Sequence, residues 1–208
     1  MNLEELINKA VKLLPAIQGW CSPEKATALI ETIVSRKPQL CVEIGVFGGS
    51  SLLPQALALK HNGSGKIIGI DPWTKDAALE SMVAAEHRDW WSKLNLESVY
   101  QHCCAHIRHQ QVEAFVELRR IKAEDAAAAF EDNSIDMLHI DGNHSEEPAC
   151  RDVDLYLPKV KTGGILFFDD VHWNDGGVNT TRKAIVKLLT ACTKLRLVSD
   201  CMILQKDG

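Results

Sequence analysis

The stretch VEIGVFGGSS, residues 42–51, predicts a buried strand that ends in glycines and leads directly into a helix. Glycines in such a turn let the backbone approach a ligand closely, and the free N–H groups at a helix start favour an anionic group. The glycines are Gly45, Gly48 and Gly49, so the run departs from a G-x-G-x-x-G pattern. A tight turn without a ligand therefore stays an alternative to a nucleotide-binding turn.

Short apolar runs alternate with helical patterns after this stretch. We predict strands at 39–46, 66–70, 117–122, 135–140, 164–169, 195–199 and 202–205. We predict helices at 49–60, 77–114 in broken form, 124–130, 145–157 and 178–191. The alternation is typical of an α/β fold with a mostly parallel sheet, whereas the last two strands are so close in sequence that they must pair as an antiparallel hairpin.

Two amphipathic helices precede the first strand. The first covers residues 3–14, and the second begins where Ser22 can act as N-cap and Pro23 occupies the first turn. We expect residues 1–37 to form a helical extension that caps the site or supports a homo-oligomer. Residues 38–208 then form the main body, and the chain is one domain overall.

Composition and charge exclude several classes of protein. The chain has 208 residues and a net charge of −5, which disfavours nucleic acid as a partner. Its seven cysteines are odd in number and never spaced as C-x-x-C, which indicates a reducing, cytoplasmic setting. The amino terminus reads as neither signal peptide nor anchor, and no apolar stretch is long enough to span a membrane, so we expect no membrane partner.

Two acidic residues indicate what kind of nucleoside binds. Asp71 ends the strand at 66–70, where a carboxylate can accept hydrogen bonds from ribose hydroxyls. Glu43 lies two residues before Gly45 and suits a cationic amino group better than a pyrophosphate, which it would repel. An oxidoreductase that uses a nicotinamide dinucleotide is therefore disfavoured. The imperfect glycine pattern and the short chain also count against it.

Carboxylates follow two further strands. The stretches LHIDGNHSEE (138–147) and LFFDDVHW (166–173) place Asp141, Asp169 and Asp170 at carboxyl ends of strands, where ligands bind in open α/β sheets. Three such carboxylates would repel one another unless a cation joined them, and their oxygens suit Mg²⁺ or another hard divalent ion. Helix caps or solvated turns are the alternative interpretation. A bound metal would orient a hydroxyl and lower its pKa.

These features resemble the class I S-adenosylmethionine-dependent methyltransferases over roughly residues 38–206. The acid and glycine-rich turn of that family are matched by Glu43, Gly45 and Gly49, and its ribose-binding acid by Asp71. The resemblance implies a Rossmann-like sheet of seven strands with an antiparallel last strand, helices on both faces and S-adenosylmethionine as cofactor. Further cofactor contacts are then expected from Ser50, Trp73, Ala123, Glu124 and Asp141.

The segment IDGNHSEEPACRDVDLYLPKVKTGGILFFDDVH (140–172) is similar to the metal-dependent O-methyltransferases that act on sugar hydroxyls of natural products, including macrocin-type enzymes. The resemblance implies metal ligands at Asp141, Asp169 and Asp170, and a general base at His144. Some relatives place an aspartate base where this chain has Asn143, which cannot take up a proton usefully. A histidine suits a base at neutral pH, although a loop residue is the alternative.

The predicted function is a divalent-metal-assisted transfer of a methyl group from S-adenosylmethionine to a hydroxyl of a small molecule. A sugar or another natural product is the expected acceptor, and a catechol is the alternative because vicinal hydroxyls also chelate a metal. A non-catalytic nucleoside-binding module is the alternative from another class. Convergent carboxylates argue against that alternative, since binding alone does not require them.

Overall fold

A sheet of seven strands runs through the centre of the computed structural model, which describes residues 1–208. The strands are β1 Leu40–Ile44, β2 Lys66–Ile70, β3 Val116–Arg119, β4 Ile135–Ile140, β5 Val160–Phe168, β6 Asn174–Asp175, β7 Val178–Asn179, β8 Cys192–Val198 and β9 Cys201–Lys206. The sheet order is β3-β2-β1-β4-β5-β9-β8, and β6 pairs with β7 as a separate short hairpin. The first five strands are parallel, and β9 is antiparallel to both neighbours. The predicted Rossmann-like fold is confirmed.

Nine α-helices surround the sheet. They are α1 Leu3–Leu13, α2 Pro23–Arg36, α3 Leu52–Asn62, α4 Lys75–Leu79, α5 Ala85–Lys93, α6 Leu96–His109, α7 Ala123–Ala126, α8 Glu146–Tyr156 and α9 Arg182–Leu189. Ser22 caps α2 as its sequence predicts, because its hydroxyl accepts a 3.0 Å hydrogen bond from the Lys25 N–H. No helix combines the length and apolar character that a membrane span requires.

Glycines explain why one strand and one helix begin at other residues than predicted. Strand β5 begins several residues earlier than predicted, because Gly163 adopts a φ of 75° and the strand continues through an irregularity in its pairing with β4. The predicted helix 178–191 begins only at Arg182, because Gly176 and Gly177, both at positive φ, turn the β6–β7 hairpin. The β6–β7 hairpin lies beside the carboxyl end of β5, where the Asn179 amide donates to the Val171 carbonyl oxygen at 2.9 Å.

The core has one layer on each face of the sheet. Cys41 belongs to a cluster of 29 buried residues with α1, α2, α3 and α6, and Val42 belongs to a cluster of 22 with α7, α8 and α9. The extension of residues 1–37 contributes fully buried side chains to the first cluster, namely Leu6, Ala26, Leu29, Ile30 and Ile33. The apolar stripe of α2 is thus covered by the chain itself, which fixes this helix beside the sheet.

Candidate active site

A cavity of about 510 Å³ opens where β1, β2, β4 and β5 end. Parallel strands bring their carboxyl ends to one edge, so residues far apart in sequence meet there. The predicted site residues that line the cavity are Gly45, Ser50, Asp71, Trp73, Ala123, Glu124, Asp141, His144, Asp169 and Asp170. Glu43 and Gly49 do not line it, although both were predicted to contact a cofactor.

The glycine turn brings three strand ends into close contact. Gly45 adopts a φ of 82°, and a Cβ atom there would collide with the backbone carbonyl group of Asp141. The Gly45 N–H donates to the Ile70 carbonyl oxygen at 2.9 Å, and the Asp141 N–H donates to the Ile44 carbonyl oxygen at the same distance. Only glycine allows the tips of β1, β2 and β4 to approach in this way.

Gly45→Ala is expected to lower the free energy of unfolding by about 3 kcal/mol or more, because positive φ strain and a backbone collision add. Gly63→Ala is the matched control. Gly63 has a φ of 70° with open space around its Cβ position, so only the strain of about 1 kcal/mol applies. Urea denaturation measures both values. Equal losses for the two variants would contradict the close approach at Gly45.

Glu43 lies beneath the cavity rather than at its surface. Its side chain is fully buried, and its carboxylate accepts hydrogen bonds from the Ser51 hydroxyl at 2.8 Å and from the Gln55 amide. Its Oε2 atom lies 3.4 Å from Nδ1 of His139. Glu43 therefore acts on the cavity only through these neighbours. Gly49 likewise faces the Sγ atom of Cys103 in α6.

Asp71 is fixed between two loops. Its Oδ2 accepts from the Phe47 N–H at 2.9 Å, and its Oδ1 accepts from the Trp73 N–H at 2.7 Å. Burial raises the pKa of Asp71 above its ordinary value, although these backbone hydrogen bonds act in the opposite direction. Each carboxylate oxygen keeps a second lone pair, so Asp71 can also accept hydrogen bonds from a ligand in the cavity.

Asp152 is a cavity residue for which the sequence offers no signal. The side chain is 6 % exposed and lines the cavity with Ala123 and Glu124, yet it accepts no hydrogen bond from the chain. Burial raises the pKa of Asp152 to about 7. A buried carboxyl group without an internal partner is costly, so it is suited to pair with a polar group of a ligand.

The predicted carboxylate trio separates into a buried and an open part. Asp169 is buried, and its Oδ2 accepts a hydrogen bond from the Nζ of Lys25, on helix α2. The Nε2 of His139 lies 3.6 Å from the same oxygen. Burial alone raises the pKa of Asp169, but His139 and Lys25 outweigh it and hold the pKa below its ordinary value. The sequence identified neither basic residue.

Asp141, His144 and Asp170 form the open part. One potential ligand atom from each lies within 4.8 Å of the other two, and all three side chains are partly exposed. His144 Nε2 lies 2.9 Å from Oδ2 of Asp170. Burial lowers the pKa of His144, but Asp170, Asp141 and Asp169 outweigh burial and raise it above its ordinary value. This arrangement can take up a proton at the imidazole and stabilise the charge that results.

Two polar clamps hold a lid over these residues. The Asn143 amide donates to the carbonyl oxygens of Ala77 and Glu80 at 3.1 and 2.8 Å. The Asp175 carboxylate, in the β6–β7 hairpin, accepts from the N–H groups of Val83 and Ala84 at 2.7 and 2.6 Å. Both clamps act on the lid segment, residues 75–93, which the sequence left without clear boundaries. Its position over the cavity is therefore set by long-range contacts.

Aromatic side chains form the remaining wall. Trp20 stacks on Phe47 with ring centres 5.3 Å apart, and Trp90 and Trp91 of the lid pack against the same pair. Trp20 is nevertheless 67 % exposed. Trp173 lies 4.8 Å from the His144 ring. Flat apolar faces beside a polar centre suit ring-shaped ligands.

The sequence of the chain is similar to a protein family and to two individual proteins. A family model described as "Methyltransferase domain" matches residues 42–171. An uncharacterised protein of Sinorhizobium fredii is 27% identical over 143 residues, which are 68% of this chain and 14% of that protein. An uncharacterised protein of Acanthamoeba polyphaga mimivirus is 30% identical over 132 residues, 62% of this chain and 50% of that protein. This chain therefore aligns with at most half the length of either relative.

Solved structures share the fold across nearly the full length. The O-methyltransferase NovP superposes with a TM-score of 0.76 at 14% identity, with 100% of both chains covered. The O-methyltransferase TomG of Streptomyces achromogenes, involved in tomaymycin synthesis and solved in complex with S-adenosylmethionine, gives a TM-score of 0.68 at 19% identity. The match covers 98% of this chain and 90% of TomG. At these identities the likeness shows a shared fold.

Proposed function

The chain belongs to the methyltransferase-domain family whose model matches residues 42–171, and from this premise we propose that it transfers a methyl group from S-adenosylmethionine to a hydroxyl oxygen of a small molecule. The expected class I methyltransferase is confirmed by this match and by the strand order. One observation carries the finer proposal. A single cavity joins the fixed carboxylate of Asp71 to the pair formed by His144 and Asp170.

The residues around the cavity fit the proposed cofactor. Asp71 offers free lone pairs for ribose hydroxyls, and Gly45 leaves the turn without a side chain at the strand ends. Asp152 lacks a partner within the chain, which suits the amino group of an adenine ring beside Ala123 and Glu124. When bound, S-adenosylmethionine supplies the methyl group on a sulfonium centre, and the remainder is the neutral thioether S-adenosylhomocysteine.

His144 is the proposed general base. The acceptor hydroxyl gives its proton to a neutral imidazole nitrogen of His144, and its oxygen forms the new bond to the methyl carbon. Asp170 stabilises the imidazolium that results, because its Oδ2 lies 2.9 Å from Nε2. The ring of Trp173 lies 4.8 Å from the His144 ring and forms the wall on this side of the base.

A divalent cation is part of the proposal. The open part of the site offers carboxylates from Asp141 and Asp170 beside His144, a donor set that fits such an ion. Asp169, the third predicted ligand, is instead engaged by Lys25. A cation held by Asp141 and Asp170 would orient the acceptor hydroxyl and lower its pKa.

Removal of divalent ions by chelation is expected to lower the rate of methyl transfer by about 10-fold or more, because the acceptor hydroxyl then keeps its ordinary pKa. Mg²⁺ or Mn²⁺ should restore the rate. Affinity for S-adenosylhomocysteine should stay within about 3-fold, since Asp71 and Asp152 lie outside the metal ligand set. Undiminished turnover in excess chelator would contradict the metal proposal while leaving methyl transfer intact.

The aromatic wall supports a ring-bearing acceptor. The faces of Trp20, Trp90 and Trp91 are suited to stack on a sugar or an aromatic ring. We propose a sugar hydroxyl of a natural product as the acceptor. Assays with labelled methyl donor on sugar glycosides and on catechols distinguish the two classes, and label in catechols alone would overturn the choice of a sugar.

Isothermal titration with S-adenosylhomocysteine and with NAD⁺ tests the cofactor itself. We expect binding of S-adenosylhomocysteine in the micromolar range, near −8 kcal/mol, and no measurable binding of NAD⁺. Preference for NAD⁺ would refute the proposed function. Binding of S-adenosylhomocysteine without label transfer to any acceptor would favour a nucleoside-binding module.

A further inference from the structure

Lys25 reaches the centre of the site from outside the region that the family model matches. It lies in the first turn of α2, seventeen residues before the matched segment begins at residue 42. Its side chain is 7 % exposed, and its Nζ donates to Oδ2 of Asp169 and lies 3.4 Å from Oδ2 of Asp141. The amino-terminal extension therefore supplies a charged group to the carboxylates at the ends of β4 and β5.

The position of Lys25 is unfavourable for the helix alone. A helix amino terminus carries partial positive charge, so a lysine in the first turn of α2 is repelled by the helix dipole. Burial of an ammonium group adds a large desolvation cost. Both costs are offset where carboxylates accept hydrogen bonds from the ammonium group. The contacts with Asp141 and Asp169 thus explain why a buried lysine is stable in the first turn of α2.

Two basic side chains face the carboxylates of Asp141 and Asp169. Lys25 and His139 are the only basic side chains within 4 Å of the carboxylate oxygens of Asp141 or Asp169. The imidazole of His139 also lies 3.4 Å from Glu43, so it is shared among three acids. The ammonium of Lys25, by contrast, forms ion pairs only with Asp141 and Asp169, and its positive charge reduces the repulsion between these two carboxylates.

We propose that Lys25 is a positioning residue of the active site, whose ammonium occupies the cation position between Asp141 and Asp169. A divalent ion then does not bridge these two carboxylates and is held on the side of Asp141 and Asp170. The position of the divalent ion rests on the proposed function, whereas the position of the Lys25 ammonium concerns the chain alone. The extension that carries Lys25 is accordingly an integral part of the site.

Mn²⁺ binding, measured by electron paramagnetic resonance of the free ion, tests this role without turnover. Lys25→Met should tighten Mn²⁺ binding about 10-fold or more, because the carboxylate of Asp169 becomes available as a ligand. Lys12→Met is the matched control, since Lys12 is an exposed lysine of α1 that does not line the cavity. It should leave Mn²⁺ affinity within about 3-fold.

Asp169→Asn provides a second test that does not depend on the folding of the lysine variant. If Lys25 keeps the ion from Asp169, this variant should bind Mn²⁺ within about 3-fold of the parent, whereas a bridging ion would lose about 10-fold or more. Unchanged or weaker binding in Lys25→Met, or strong loss in Asp169→Asn, would overturn the proposal. Titration with S-adenosylhomocysteine reports separately on the proposed function.

Discussion

His144→Ala is expected to lower the rate constant of methyl transfer by about 10³-fold, the usual contribution of a positioned general base. The imidazole is the group in the open part of the site that can accept a proton. Asp170 stabilises the resulting imidazolium, because its Oδ2 lies 2.9 Å from Nε2 of His144. Alanine leaves no side chain at this position that can take the acceptor proton. Single-turnover measurement with labelled S-adenosylmethionine isolates this step from product release.

His172→Ala is the matched control for this prediction. His172 follows the acidic pair in the same way as His144 follows Asp141, but it is exposed and does not line the cavity. We expect its rate to stay within about 2-fold of the parent. Affinity for S-adenosylhomocysteine should be unchanged in both variants. A His144→Ala rate close to that of the control would show that another group takes the proton.

Asp71→Ala is expected to weaken the binding of S-adenosylhomocysteine by about 100-fold. Two hydrogen bonds from ribose hydroxyls to a charged acceptor contribute about 1.5 kcal/mol or more each, and about 1.4 kcal/mol corresponds to a factor of ten. The variant also removes the acceptor that fixes the N–H groups of Phe47 and Trp73, so the turn loses its preorganised shape. Isothermal titration gives the affinity directly.

Asp76→Ala separates this effect from a general change of charge. Asp76 is an exposed acid in α4, five residues further along the chain. Its replacement should leave affinity within about 2-fold, because an exposed charge contributes little. Urea denaturation of Asp71→Ala shows how much of its effect is lost stability. Parent-like affinity in Asp71→Ala would place the ribose elsewhere and remove the basis of the cofactor proposal.

Much of the fold was predictable because local patterns of apolar residues and helix or strand breakers determine most of its elements. Strands at 66–70 and 135–140 were predicted with the bounds that the structure has, since each is a short apolar run between clear breaks. The segment predicted as a broken helix over 77–114 was not predictable in the same way. The structure has three helices in this region, α4, α5 and α6, separated by turns, and clamps from Asn143 and Asp175 set the position of the lid that contains α4 and α5.

The sequence by itself determined which acids lie at the active edge. Asp71, Asp141 and Asp169 each follow an apolar run, and parallel strands bring their carboxyl ends together. It did not determine which way Glu43 points. Glu43 precedes the glycine turn as expected, but it shares a strand face with Cys41, so its carboxylate is directed under the sheet edge toward Ser51 and away from the cavity.

Only the tertiary structure decided which cation the carboxylates meet. Lys25 lies 116 residues from Asp141 and 144 residues from Asp169 along the chain, and no local spacing relates them. The contact exists because the apolar face of α2 packs into the same core as α3 and thereby directs the first turn of α2 at the ends of β4 and β5. Periodicity in a sequence reports which face of a helix is buried, but the partner of a single buried charge depends on how whole elements pack against one another.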